Sequence, residues 1–303
     1  MSQTEGSTKP KLDCRGMRPG TLRLGVAGQS SLRWAAVDLT EPVEEVRRRC
    51  DLSPLAAVAL GRTLVSAALL LRFSTKNPGR LLVEVAGDGE LGKVVAEVTS
   101  RGFVRGLVGN PHLPTPAGGA LSLAAAVGQG TYKVTQSATD GSRRYESQVR
   151  LVSGELGKDL VHYLEQSLQI RSAALLGVLP RPEGVVQAGG VLIEAFPGVA
   201  EEMLEVLEAN LAAIGGEVSA HLEAGGLDSL LDQCLEGFDR RELESHELTY
   251  GCGQGREDIR SKLLHLKPED VDDVVDSQGL FTADCAFCAR RFTFSRDELV
   301  PGG

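Results

Sequence analysis

Residues 80–99 read RLLVEVAGDGELGKVVAEVT. Two runs rich in Val and Leu, Leu81–Val85 and Lys93–Val98, flank Asp88-Gly89. That pattern predicts a β-hairpin, with glycine supplying the backbone freedom a tight turn needs. A second hairpin is predicted around Asp140-Gly141, between Thr131–Gln136 and Tyr145–Leu151. Pro111, Pro114 and Pro116 mark a loop between the two. Upstream, Arg33–Thr40 reads as a strand. A helix is expected after it, with Thr40 as N-cap and Pro42 in the first turn. Glu41, Glu44 and Glu45 suit the positive end of that helix. Ser53-Pro54 opens a long helix through Leu71, whose alanines permit close packing. Downstream, Gly157–Ile170 reads as a helix, and Val185–Phe196 as a strand pair turning at Gly189-Gly190. Strands and helices do not alternate regularly. The expected class is therefore α+β, a core of antiparallel sheets with packed helices.

The chain has 303 residues, enough for about two domains. Hydrophobic residues make up 42% and charged residues 24%, which argues against wholesale disorder. The net charge of −9 excludes a basic protein that coats nucleic acid. Leu55–Leu71, the most apolar stretch, is interrupted by Arg62 and reads as amphipathic and too short to span a bilayer. The first residues carry no apolar leader, so a cytoplasmic location is expected.

The composition shifts near Pro197. Between Val199 and Glu247 stand 13 acidic residues and two basic ones, a net charge of −11. Met203, Leu204, Leu207, Leu211 and Ile214 share one helical face, and a short second helix is expected over Leu227–Leu235. The plain expectation is a solvated acidic helix pair. The alternative is a segment whose apolar stripe docks reversibly on the main domain. The resulting layout is a disordered tail over 1–19, a core domain over 20–196 and an acidic helical linker over 197–247. A small C-terminal domain completes it over 248–303. About fifty residues rarely hold a core without a metal or a disulfide.

That last domain contains Cys252 and Cys285-Ala286-Phe287-Cys288. Zinc prefers thiolates in a closed tetrahedral shell, and a Cys-x-x-Cys turn presents two sulfurs to one ion. Cys252 is a third candidate ligand if the intervening helices fold back. Gln254, His246, His265, Asp284 or a water are candidates for the fourth, and His246 is the best chemical match among them. A redox-enzyme reading is weaker. Arg291–Ser295 reads as a strand, whereas a thioredoxin-like motif feeds a helix that lowers the thiol pKa. A zinc ribbon that binds nucleic acid is a further alternative, with Phe292 and Phe294 as stacking residues beside Arg290 and Arg291. Walker, G-x-S-x-G and H-E-x-x-H motifs are missing from the sequence, so no enzyme activity is expected.

Several stretches together resemble the 33-kDa heat-shock chaperonin family. They are Pro54–Leu71, Val85–Gly89, Gly128–Tyr132, Tyr163–Ile170, Ala188–Ile193 and Cys285–Cys288, spread over about residues 20–299. The resemblance implies an ATP-independent holdase of the bacterial cytosol that binds unfolded client proteins under oxidative and heat stress. It implies zinc held by four cysteines, in a Cys-x-Cys and a Cys-x-x-Cys pair, when reduced. It also implies a disulfide within each pair on oxidation, release of the metal, unfolding of switch domain and linker, and a homodimer on activation. Carried onto this chain, the metal ligands are Cys252, Cys285 and Cys288, and the redox disulfide is Cys285–Cys288. The first pair departs from the family pattern, because Gln254 stands where its second cysteine is expected. Gln oxygen is a harder, weaker zinc ligand than thiolate, so weakened zinc binding and an impaired switch are expected. Cys234 is a candidate oxidation partner for Cys252. A holdase freed from redox control is the alternative.

Overall fold

A computed structural model describes residues 18–73, 79–114, 122–138, 143–216, 218–251 and 255–300. One compact unit runs to Tyr250, and a second begins at Gly251.

The first unit opens with β1 (Gly20–Ala27), β2 (Leu32–Asp38), α1 (Thr40–Cys50) and α2 (Pro54–Phe73). Next come β3 (Arg80–Gly87), β4 (Lys93–Thr99), β5 (Phe103–Val108) and the short α3 (Leu123–Val127). β6 (Gly130–Ser137) and β7 (Arg144–Arg150) follow, then α4 (Gly157–Tyr163), which runs into a π-helical turn at Leu164–Leu168. β8 (Ser172–Arg181), β9 (Gly184–Ala195), α5 (Glu201–Ile214), α6 (Val218–Cys234) and β10 (Arg240–Tyr250) complete it.

The ten strands form one sheet in the order β7-β6-β3-β4-β5-β10-β1-β2-β9-β8. Every pairing is antiparallel except β5 with β10, which is parallel and rests on Thr249↔Phe103 and Tyr250↔Val104. Both predicted hairpins are present, as β3–β4 and β6–β7. The α+β expectation therefore holds.

Helix α2 organises the core. It packs on β3, β4 and β5 of one half-sheet and on β2, β8 and β9 of the other. Ser53 caps it, the hydroxyl accepting from the Ala56 amide at 3.4 Å. The amphipathic expectation is corrected here. The helix is apolar all round and long enough to cross a bilayer, but 89% of its apolar window is buried inside the protein. A helix enclosed by a sheet on opposite sides needs no polar face. Arg62 reaches out to Glu155, with its guanidinium 2.9 Å from the carboxylate.

Two further expectations are corrected. Val185–Phe196 is one strand, not a turned pair, and β8, which pairs with it, was not foreseen. Gly189 and Gly190 lie mid-strand because space is short: a Cβ on Gly190 would come within 2.9 Å of Val65 on α2. The linker is helical only to Cys234. Residues 240–247 belong to β10, a strand of the main sheet paired along its length with β1. Helix α6 starts earlier than expected and kinks at Gly226, where φ is 70°.

The second unit contains α7 (Arg256–Leu263), α8 (Pro268–Val274), β11 (Leu280–Asp284), β12 (Arg291–Ser295) and α9 (Arg296–Leu299). β11 and β12 form a two-stranded antiparallel sheet.

Candidate functional site

Two features carry chemistry. The first is the β11–β12 connection, which holds Cys285 and Cys288. The Cys285 carbonyl accepts the amides of Cys288 at 3.2 Å and Ala289 at 2.8 Å. The Cys285 amide donates to the Arg290 carbonyl at 2.9 Å, closing the turn. Ala289 takes the left-handed conformation, φ 53°, that this reversal requires. Both cysteines are buried, so one short turn gathers two thiols away from water. Arg291 clamps the base of the turn through two hydrogen bonds to Asp284, at 2.9 and 3.1 Å. Those bonds hold the Asp284 carboxyl below its ordinary range.

The rest of the unit is tied by charge. Glu298 accepts from Arg256 and from the Ser295 amide, which together hold its carboxyl down at about 2. Arg256 also stacks 4.5 Å from the centre of the Phe294 ring. Phe294 is fully buried and Phe292 nearly so. The nucleic-acid alternative therefore loses its stacking platform, since bases need an exposed ring face.

The donor set fits half of a zinc shell. Two thiols on one turn suit the ion, and two more ligands would close it. Among the described residues, no three His, Cys, Asp or Glu side chains are grouped to hold a metal. Cys252 and Gln254 lie outside the described residues, as does Cys14. The surrogates can be sorted. His246 stands on β10 with both ring nitrogens engaged, one by Arg72 at 3.3 Å and one by Glu244 at 2.9 Å. Asp284 is occupied by Arg291, and His265 is exposed after α7.

The second feature is the sheet face turned away from α2, on the half formed by β2, β9 and β8. Trp34, Ala36, Val191 and Ile193 form a continuous apolar surface there, joined by Ala27 and Leu32. Leu207 and Ile214 of α5 pack on it, with Val218, Leu222, Leu230, Leu231 and Cys234 of α6. The acidic helix pair is thus docked, and the solvated reading is corrected. Trp34 is the chain's single tryptophan and lies buried beneath the pair. Cys234 is fully buried, and loss of hydration pushes its thiol up to about 12. It is a packing residue in this state rather than a ready oxidation partner.

Few polar ties hold the pair at its rim. Arg240 meets Asp232 at 2.9 Å, Arg23 meets Asp228 at 2.8 Å, and Arg181 meets Glu223 at 2.8 Å. The sequence reading missed the sheet side of this contact. A signal existed: Trp34–Val37 and Val191–Ile193 are apolar on both faces, which marks strands covered on both sides.

A helix-centred curled sheet, with a C-terminal two-cysteine hairpin, defines a chaperone of the heat-shock class when set beside known proteins. The family model described as "Hsp33 protein" matches residues 21–295. The chain is 39% identical to a 33 kDa chaperonin of Thermus thermophilus, over 92% of this chain and 85% of that one. It is 35% identical to the 33 kDa chaperonin of Desulforamulus reducens, over 90% and 94%. The crystal structure of the 33 kDa chaperonin from Thermotoga maritima superposes with a TM-score of 0.84. That match has 33% identity and covers 92% of this chain and 96% of that one. The chain belongs to the Hsp33 family, and its function is that of a chaperone.

Proposed function

We propose that the protein is an ATP-independent holdase that captures unfolded proteins on the sheet face now covered by α5 and α6. The observation that carries this reading is the apolar surface around Trp34, hidden beneath a strongly acidic helix pair. A holding surface must be apolar to bind unfolded chains, and it must be hidden at rest to prevent self-association. Undocking α5 and α6 exposes it. The charged outer surface of the helices keeps the opened form soluble. Homodimerisation on activation and action in the cytoplasm, with no enzyme activity, belong to the same reading. Neither a nucleic acid nor a membrane is part of it.

Control is assigned to the cysteines. Cys285, Cys288 and Cys252 would hold zinc, which cross-links a unit too small to be stable on its own packing. When a peroxide oxidises Cys285 and Cys288, one S–S bond forms, two protons and two electrons leave, and the peroxide is reduced to water. Neither sulfur is then a thiolate ligand. The chain passes from α6 through β10 directly into Gly251, so loosening of the second unit lies one strand away from the covering helices.

The test is suppression of aggregation of a heat-unfolded client, comparing reduced with peroxide-treated protein at one temperature. Activity only after peroxide, abolished in Cys285→Ser, supports redox control. Gln254 favours a second reading, a holdase without that control. Equal activity in both samples supports it. Activity in neither sample overturns the holdase itself.

A further inference from the structure

We propose that Met203 is a second oxidation site, whose sulfoxide releases α5 independently of the cysteines. This rests on the reading that undocking of α5 and α6 is the activating event. Met203 is the only methionine among the described residues. It sits in the first turn of α5, half-buried, so its thioether is reachable by a small oxidant. Its methyl group packs on Gly28, where any side chain would overlap it, and Phe238 borders the same spot.

Gly28 begins the β1–β2 turn, in which Gly28, Gln29 and Ser30 all have positive φ. The Gly28 amide donates to the Asp239 carbonyl at 3.2 Å, and the Gln29 amide to the Asp239 carboxylate at 2.9 Å. Both ends of the covering segment therefore meet at this turn: Met203 near the start of α5, Phe238 and Asp239 after α6. Oxidation transfers one oxygen from a peroxide to the sulfur. The peroxide O–O bond breaks, sulfur loses two electrons, and water leaves. A flexible apolar group becomes a polar one with a strong acceptor. The two amides of the turn are already committed to Asp239. The larger, polar sulfoxide no longer suits the apolar contact with Gly28 and Phe238, and its oxygen turns toward water or competes with Asp239 for those amides. Each course loosens the fastening.

The experiment treats wild-type protein and Met203→Leu with hydrogen peroxide, then with dithiothreitol and zinc to return the cysteines to their reduced, metal-competent state. Peptide mass spectrometry reads the addition of one oxygen at Met203. Trp34 emission and proteolysis within 199–239 read docking, separately from client holding. In wild type, opening should rise about five- to tenfold and persist after dithiothreitol. Methionine sulfoxide reductases should reverse it, and Met203→Leu should stay closed. Met203→Gln should open without oxidant. Sulfoxide at Met203 with unchanged Trp34 emission, or equal opening in Met203→Leu, overturns the proposal. Opening without client holding would leave this site standing and count against the holdase reading instead.

Discussion

The two halves of the sheet turn opposite kinds of surface away from α2. On the β2–β9–β8 half the surface is Trp34, Val191, Ile193 and small residues, sealed by Leu207, Leu230 and Leu231 from the helix pair. On the β3–β4–β6 half it is a ladder of charges. Arg105 and Arg80 flank Glu97 at 2.8 and 3.3 Å, and Lys93 and Lys133 flank Glu84 at 3.2 and 3.5 Å. Lys133 and Arg144 then share Glu146. An ion-pair ladder satisfies itself across neighbouring strands. An apolar face does not, so it must be covered. The cover lies within residues 199–239, which hold ten acidic residues and no lysine or arginine, and it has few polar ties to the sheet. An apolar face that needs a cover is therefore found on the β2–β9–β8 half.

That contrast can be broken by placing charge on the wrong half. Leu207→Glu buries an unpaired carboxylate in the apolar contact, at a cost of about 3 kcal/mol or more. Client holding by the reduced protein should rise and Trp34 emission should shift to the red. Unchanged emission would mean the contact is not what hides the face. A smaller effect is expected on the ladder. Glu97→Gln leaves Arg105 and Arg80 facing each other without their carboxylate and should lower stability by about 1–3 kcal/mol. It should produce no gain in client holding, read by thermal melting beside the aggregation assay. A gain would erase the distinction between the halves.

Cys234 sharpens the comparison through pH. Its folded pKa, about 12, lies above the ordinary value near 9. The stabilisation this represents is fully present below about pH 9 and is lost as pH rises toward 12. Alkylation of Cys234, followed by mass spectrometry, should stay slow at neutral pH and rise together with Trp34 exposure in that window. Fast labelling with Trp34 still buried would show a breach at the end of α6 alone. The smallest effect belongs to the rim. Arg240→Ala removes a partly exposed tie to Asp232 and should weaken docking by about 0.5–1 kcal/mol, less in high salt. Chemical denaturation followed by Trp34 emission would measure it.

Much of this was legible in the chain. Asp88-Gly89 between two Val-rich runs announces a hairpin, because turn chemistry and period-two alternation are local. The same holds for Ser53-Pro54 at the head of α2 and for the strand after Cys288. Glycine misled at Gly189-Gly190: it marks a turn in sequence, but here it serves close approaches by the Val37 and Leu175 carbonyls of the neighbouring strands and by Val65 of α2, which are non-local causes. Arg240–Glu247 misled for a related reason. Its charged, nearly uniform pattern holds no strand signal, and it becomes β10 because β1 offers a free edge. His246, a candidate ligand by residue type, meets Arg72, 174 residues away in sequence, which no local pattern shows.

Chain chemistry alone established the α+β class, the two-thiol turn at Cys285 and Cys288, and the acidic segment with its apolar stripe. Each follows from neighbours within a few residues, where propensity and spacing act directly. Only the tertiary structure decided that the stripe is docked, that Trp34 lies beneath it, and that the opposite half carries a charge ladder. Those outcomes depend on which distant surfaces meet, and burial free energy is a property of the pair of surfaces rather than of either one.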